Sequence, residues 1–276
     1  MLPIAIISPH GGLEIPPELQ GRIALTPEQI FNEADAYVND IFDFRDRVLA
    51  FEAFPYGRAL IDVNRPADDS QHHRPGDGVV KRLTSYGDPV FLPGLEPEAE
   101  LEQSLIQRYW QPWHDRLAEI EQDERIKLVL DCHSMAAVGP TTYDDPAQLR
   151  PRTQTANLGD AQGELYPARG RLSAPPHLTR FLAEKLGTLL ADIPAWAEVG
   201  ADSAVNSPFS GGWNIRAHGH PGQPWIMIEI NRALYIGPQT GHTPIVPPDA
   251  ERIALLRERI WEGVTAVTEY NNGLEK

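Results

Sequence analysis

Lys127-Leu128-Val129-Leu130-Asp131-Cys132-His133-Ser134 is the stretch on which the fold turns. A short apolar run that breaks into a dense polar group reads as a buried strand delivering chemistry at its carboxyl end. Three other runs share that grammar. Ile4–Ile7 leads into Ser8-Pro9-His10-Gly11-Gly12, and Ala59–Val63, with Asp62 inside it, leads into Asn64-Arg65. Trp225–Ile230 contains Glu229 and leads into Asn231-Arg232. Helical patterns lie between these runs. Thr26-Pro27-Glu28-Gln29 reads as an N-cap with proline at the first helical position, opening a helix toward Phe31. Asp35–Ala50 carries apolar residues at Val38, Ile41, Phe42 and Val48, and Glu96–Gln122 is a long helix that Pro112 should bend. Leu178–Leu190 and Pro248–Tyr270, with Ile253, Leu256 and Ile260, are two more. Strands alternating with helices predict an α/β protein. The expected form is one domain over residues 1–276, with a mostly parallel or mixed central sheet and helices on both faces. The segment 134–174, rich in Gly, Pro and Thr, is expected to be a loop or lid.

Composition narrows the functions. Lys and Arg number 24 against 39 Asp and Glu, a formal net charge of −15. Such a surface repels nucleic-acid phosphates and anionic lipid, so neither is expected as a partner. A small anionic substrate remains possible if arginines are focused in a cleft. The single cysteine, Cys132, excludes an intrachain disulfide and a cysteine-rich zinc site. The first residues lack the basic and apolar segments of a signal peptide, which makes the cytoplasm the expected compartment. The 26 prolines are spread through loops, and no internal repeat is visible. Nothing bears on oligomeric state.

Ligand sites in open α/β sheets lie beyond the carboxyl ends of the strands, so the four polar groups should converge on one crevice. Two histidines from separate strand ends, with carboxylates nearby, suit a zinc site of two His and one carboxylate with a position open for water. His10 precedes two glycines that leave its ring uncrowded. His133 has Asp131 two residues earlier, on the same face of a strand, where it could orient the imidazole. Either histidine alone serves equally well as a strand cap; the pair with these neighbours points to a metal. Arg65, Arg216 and Arg232 are candidates to hold a substrate carboxylate, because a planar guanidinium meets a carboxylate through two parallel bonds. His72-His73 reads as a solvated or substrate-facing loop, and His218 as a candidate substrate contact. Ser134 beside His133 lacks a Gly-x-Ser-x-Gly elbow, which argues against a serine hydrolase. Cys132 alternates away from His133 and reads as packing.

Six ordered motifs resemble the N-formylglutamate amidohydrolase family. They are Ser8–Gly12, Glu33–Val38, Asp62–Pro66, Asp131–Met135, Asn206–Gly212 and Ile228–Arg232, spanning roughly residues 3 to 236. The resemblance implies a phosphorylase/hydrolase-like fold, one Zn2+, and cleavage of N-formyl-L-glutamate to formate and L-glutamate in histidine degradation. It places His10, Asp35 and His133 on metal-ligand positions and Glu229 on the catalytic carboxylate. Arg65 would stabilise the oxyanion or hold substrate, and Asn64, Gly212, Arg216, Arg232 and His218 complete the expected binding set. The chain departs from the family where Gly11 stands for serine and where Glu33-Ala34-Asp35-Ala36 replaces Asp-Thr-Asp-Trp. Glu14, four residues after His10, and Glu33 stay open as rival carboxylate ligands. Two other functions stay open as well: a zinc deacylase or carboxypeptidase-like hydrolase acting on another N-acyl amino acid, and a metal-free binding protein of the same fold.

Overall fold

The computed structural model describes residues 1–68 and 76–274. One six-stranded sheet runs β2-β1-β3-β6-β4-β5. Its strands are β1 (Leu2–Ser8), β2 (Val48–Ala53), β3 (Leu128–Met135), β4 (Thr153–Ala156), β5 (Ser203–Val205) and β6 (Trp225–Asn231). β1 pairs in parallel with β2 and β3, and β3 with β6, whereas β4 runs antiparallel to β6. The sheet is therefore mixed, within the range the sequence predicts.

Helices cover both faces. Alternate residues of β3 and β6 point to opposite sides. Leu128, Leu130, Cys132, Ile226, Ile228 and Ile230 enter one core. It is closed by α2 (Val38–Ile41), α5 (Pro176–Leu190) and α7 (Ala250–Leu274). In α5, Leu178, Leu182, Leu186 and Leu190 recur every four residues and are buried, which keeps one stripe on the sheet. Val129, Trp225 and Met227 face the other core, with Trp113, Leu117 and Ile120 of α4 (Gln111–Gln122). α1 (Pro27–Glu33) opens with the expected cap: Thr26 Oγ1 accepts from the Gln29 N–H, and Gln29 reaches back to the Thr26 N–H.

Three expectations need correcting. Ala59–Val63 is not a strand: the backbone turns there, with the Leu60 and Ile61 N–H groups both reaching the Gly57 carbonyl. The run is apolar because it is completely buried, and burial without alternation does not distinguish a strand from an interior turn. The fourth parallel strand is instead β2, whose first residues, Val48 to Ala50, fall in the segment read as the helix Asp35–Ala50. That helix is a single turn, Val38–Ile41; beyond it the half-buried edge strand imitates helical spacing. The segment 134–174 is not all loop either. It holds the last residues of β3 and all of β4, whose Thr153-Gln154-Thr155-Ala156 is wholly buried without being an apolar run. Thr153 and Thr155 hydroxyls donate to the Glu229 and Thr179 carbonyls, which compensates their burial.

The long helix is bent where Pro112 requires it. α3 (Ala99–Leu105) passes into a π-helical turn, Ile106–Trp110, before α4. Proline has no N–H to donate to the carbonyl four residues back, and the Gln111 N–H bonds five residues back to Ile106 instead. α6 (Trp213–Ala217) lies beside β6 and begins at the same end of the sheet as His10 and His133. No helix among the described residues is long and apolar enough to cross a membrane.

Candidate metal centre and its cavity

At the carboxyl end of the sheet, β1 delivers His10 and β3 delivers His133, with Asp35 entering from the end of α1. The Asp35 N–H bonds to the His10 carbonyl at 3.0 Å, which ties the two loops together. All three side chains are buried, and their ligand atoms form one group within 4.8 Å. His10 Nδ1 and His133 Nδ1 are 3.1 Å apart; Asp35 Oδ2 is 3.2 Å from the second and 3.7 Å from the first.

The far nitrogen of each ring is also held. His10 Nε2 meets Asp62 Oδ1 at 2.8 Å, and His133 Nε2 meets Asp131 Oδ1 at 2.9 Å. A carboxylate on Nε2 fixes the proton there and leaves Nδ1 as a lone pair. Two lone pairs and a carboxylate oxygen then point at one another, which is repulsive unless a cation lies between them. Zinc bonds of about 2.0–2.1 Å at tetrahedral angles place ligand atoms roughly 3.3 Å apart, close to the observed triangle. Charge agrees. Three buried carboxylates, Asp35, Asp62 and Asp131, lie against the two imidazoles. Burial would depress the His133 imidazole, yet Asp131, Asp35 and Glu229 raise it well above its ordinary value, so a positive charge at this position, whether a proton or a metal ion in its place, is favoured. The residues fit a divalent metal.

Glu229 sits opposite His133 in the β3–β6 register. Its Oε2 is buried with no hydrogen-bond partner among the described residues. Burial pushes its carboxyl up to about 7, with Asp35 adding to the rise and His133, Arg150 and Arg58 opposing it. A carboxylate that changes charge near neutrality, beside a metal-binding cluster, is suited to carry a proton.

A cavity of about 990 Å³ opens over this cluster. Arg58, Arg65, Arg150, Arg169, Arg216 and Arg232 all line it, so this acidic chain brings six guanidinium groups to one cavity. Asn64 and Gly212 line it too. A Cβ on Gly212 would lie 2.2 Å from the Asn64 amide nitrogen, so only glycine allows α6 to approach; the Asn214 N–H then bonds Asn64 Oδ1 at 2.8 Å. Arg65 bonds Asp77 and its neighbour's carbonyl, whereas Arg216 is exposed and its guanidinium makes no hydrogen bond or ion pair among the described residues.

Other expected residues fall elsewhere. His218 does not line the cavity. Its ring is turned inward beside Trp225 and bonds His114 at 2.9 Å and Glu121 at 3.1 Å, so the substrate contact expected of it is withdrawn. Arg232 does reach the cavity wall, but its guanidinium is engaged by protein groups. Glu14 is exposed and sits in a shallow depression apart from the histidines, and Glu33 is bound by Lys81 and Ser85. Of the three rival carboxylates, only Asp35 meets the imidazoles. Ser134 Oγ accepts from Arg232 and makes no pair with His133. Cys132 is buried on the opposite face, where burial raises its thiol. His72-His73 lies outside the described residues.

Sequence reasoning missed the parts played by Asp62 and Arg58. Asp62 carried a signal, being a carboxylate inside an apolar run. Arg58 carried none; its Nε is buried without a partner among the described residues, and its fork lies between Asp62 and Asp35.

A sequence model of the N-formylglutamate amidohydrolase family matches residues 2–236. The N-formylglutamate deformylase of Pseudomonas putida is 25% identical over 243 residues, covering 85% of this chain and 82% of its own. That of Pseudomonas aeruginosa is 25% identical over 246 residues, covering 86% and 84%. The crystal structure of N-formylglutamate amidohydrolase from Ralstonia eutropha JMP134 shares the fold, with a TM-score of 0.69 at 21% identity, covering 98% of this chain and 94% of that one.

Proposed function

The chain belongs to the N-formylglutamate amidohydrolase family, and from that premise we propose that it is a zinc-dependent hydrolase that cleaves N-formyl-L-glutamate to formate and L-glutamate. The observation that carries this reading is the convergence of His10 Nδ1, His133 Nδ1 and Asp35 Oδ2, with Glu229 beside them, under an arginine-lined cavity.

His10, Asp35 and His133 would hold the ion. When bound, zinc acidifies a water ligand and polarises the formyl carbonyl. The chain's own groups do the rest. Glu229 takes a proton from the attacking water as its oxygen bonds to the formyl carbon. The same carboxyl delivers that proton to the amide nitrogen as the C–N bond breaks, so formic acid and the amine form. The acid's remaining proton passes to the amine to give formate and an ammonium group, and Glu229 returns ionised. Asp62 and Asp131 keep both imidazoles oriented. Arg58 and Arg65 present guanidinium charge from the cavity wall, where it can meet the developing oxyanion or a substrate carboxylate. Arg216 is available for the second carboxylate of a dicarboxylate substrate. The substrate is small and anionic, and a cavity lined by six arginines in an acidic chain suits it. An assay of free amino acid released from N-formyl, N-acetyl and N-succinyl amino acids tests the proposal. N-formyl-L-glutamate should be the best substrate; an N-acetyl or N-succinyl compound turned over faster would make this a deacylase of another N-acyl amino acid.

A further inference from the structure

Arg232 has no donor left over. Its five N–H groups reach five acceptors: Nε to Ser134 Oγ at 3.1 Å, Nη1 to the Asn32 carbonyl at 2.9 Å and Gln239 Oε1 at 3.3 Å, and Nη2 to Asp35 Oδ1 at 3.2 Å and the Ser134 carbonyl at 3.4 Å. A guanidinium has five hydrogens and no more. The side chain is buried, and its partners come from the end of α1, the end of β3 and the loop at Gln239.

The two oxygens of Asp35 consequently differ. Oδ1 faces Arg232, with Arg58 Nη1 3.7 Å away. Oδ2 accepts the Ser134 N–H at 3.0 Å and faces His133 Nδ1. Turning the carboxylate to offer both oxygens to the imidazole side would break the Oδ1 bond to Arg232. We propose that Arg232 is a positioning residue that makes Asp35 a one-oxygen metal ligand, and that it does not bind substrate. The proposal rests on reading His10, Asp35 and His133 as a metal centre. Charge alone would not achieve this. A lysine would place three donors on a single point and could not serve acceptors on three separate segments.

The test uses the full chain, freed of metal by a chelator, as wild type, Arg232→Lys and Arg232→Met, each checked for folding by circular dichroism. Zn2+ affinity is read by competition with a chromophoric chelator, and ligand number by the visible spectrum of the Co2+ form. Wild type should show the intense absorption of a four-coordinate site. Both variants should lose about 10- to 100-fold in Zn2+ affinity, the usual effect of removing a group that orients a ligand. Their Co2+ bands should weaken as Asp35 turns to offer both oxygens. At saturating metal, the KM for N-formyl-L-glutamate of Arg232→Lys should stay within about twofold of wild type. If Arg232→Met does not fold, Ser134→Ala, which removes the acceptor of Nε together with a contact to Tyr235 but keeps Arg232, should still lower Zn2+ affinity severalfold. Wild-type affinity and spectrum in Arg232→Lys would overturn the proposal, as would unchanged affinity with a KM raised tenfold or more. A wild-type protein that binds neither ion would instead contradict the metal centre itself.

Discussion

Glu229 concentrates the chemistry in one side chain. Its neighbours along β6 are apolar, and its carboxyl is pushed up to about 7 by burial. A base works when deprotonated, so kcat/KM should rise with pH through an apparent value near 7. Glu229→Gln should keep the metal but lose at least ~10²-fold in turnover, the usual range for general acid–base catalysis. Stability gives a second readout. An unfolded glutamate ionises near its ordinary value, while the folded one holds its proton until about pH 7, so folding stability falls as pH rises between those values. Glutamine removes that loss, so the variant's gain in Tm should be small at pH 5 and full above pH 7.5. Asp62→Asn should cost about 10- to 100-fold in metal affinity, because the amide no longer fixes the proton on His10 Nε2; a metal competition assay reads it. At this scale the sequence is legible where a polar residue interrupts an apolar run, as Asp62 and Glu229 do. Arg58 and Lys81 are silent because their importance comes from partners far along the chain, such as Asp35 and Glu33.

Between elements, one contact shows how closely the helices over the sheet are fitted. A Cβ on Gly263 of α7 would lie 2.7 Å from Leu186 Cδ2 of α5. Alanine is the better helix former by about 1 kcal/mol, yet overpacking a fitted core costs about 1–3 kcal/mol. Gly263→Ala should therefore lower stability or leave it unimproved. Leu186→Ala alone should cost about 2–5 kcal/mol, and the double variant should be more stable than the two single effects added together. Denaturant unfolding of all four proteins checks the cycle. Elements with a full apolar stripe, such as α5 and α7, could be read from sequence. β2 could not, since Val48 to Ala53 on a half-covered edge shows neither clean alternation nor a buried run. β4 could not, since its threonines satisfy their hydroxyls through tertiary contacts that no local pattern reveals. The turn at Ala59–Val63 shows the converse, a strand-like run whose apolar character reports burial alone.

Across the whole molecule, an acidic chain folds so that six arginines and a cluster of buried carboxylates meet at one end of the sheet. Two imidazole nitrogens and a carboxylate oxygen converge there, at His10, Asp35 and His133, within 4.8 Å, and a bound cation relieves their repulsion. Zinc at about 1,000 times its dissociation constant should stabilise the fold by about 4 kcal/mol, with a corresponding rise in Tm that chelator reverses. The most direct measurement is formate release from N-formyl-L-glutamate by protein stripped of metal and titrated with Zn2+. Turnover should be lost on stripping and return in proportion to added zinc, levelling off near one ion per chain. Stripped protein that cleaves the substrate at the full rate, or reloaded protein that releases no formate, would contradict the account.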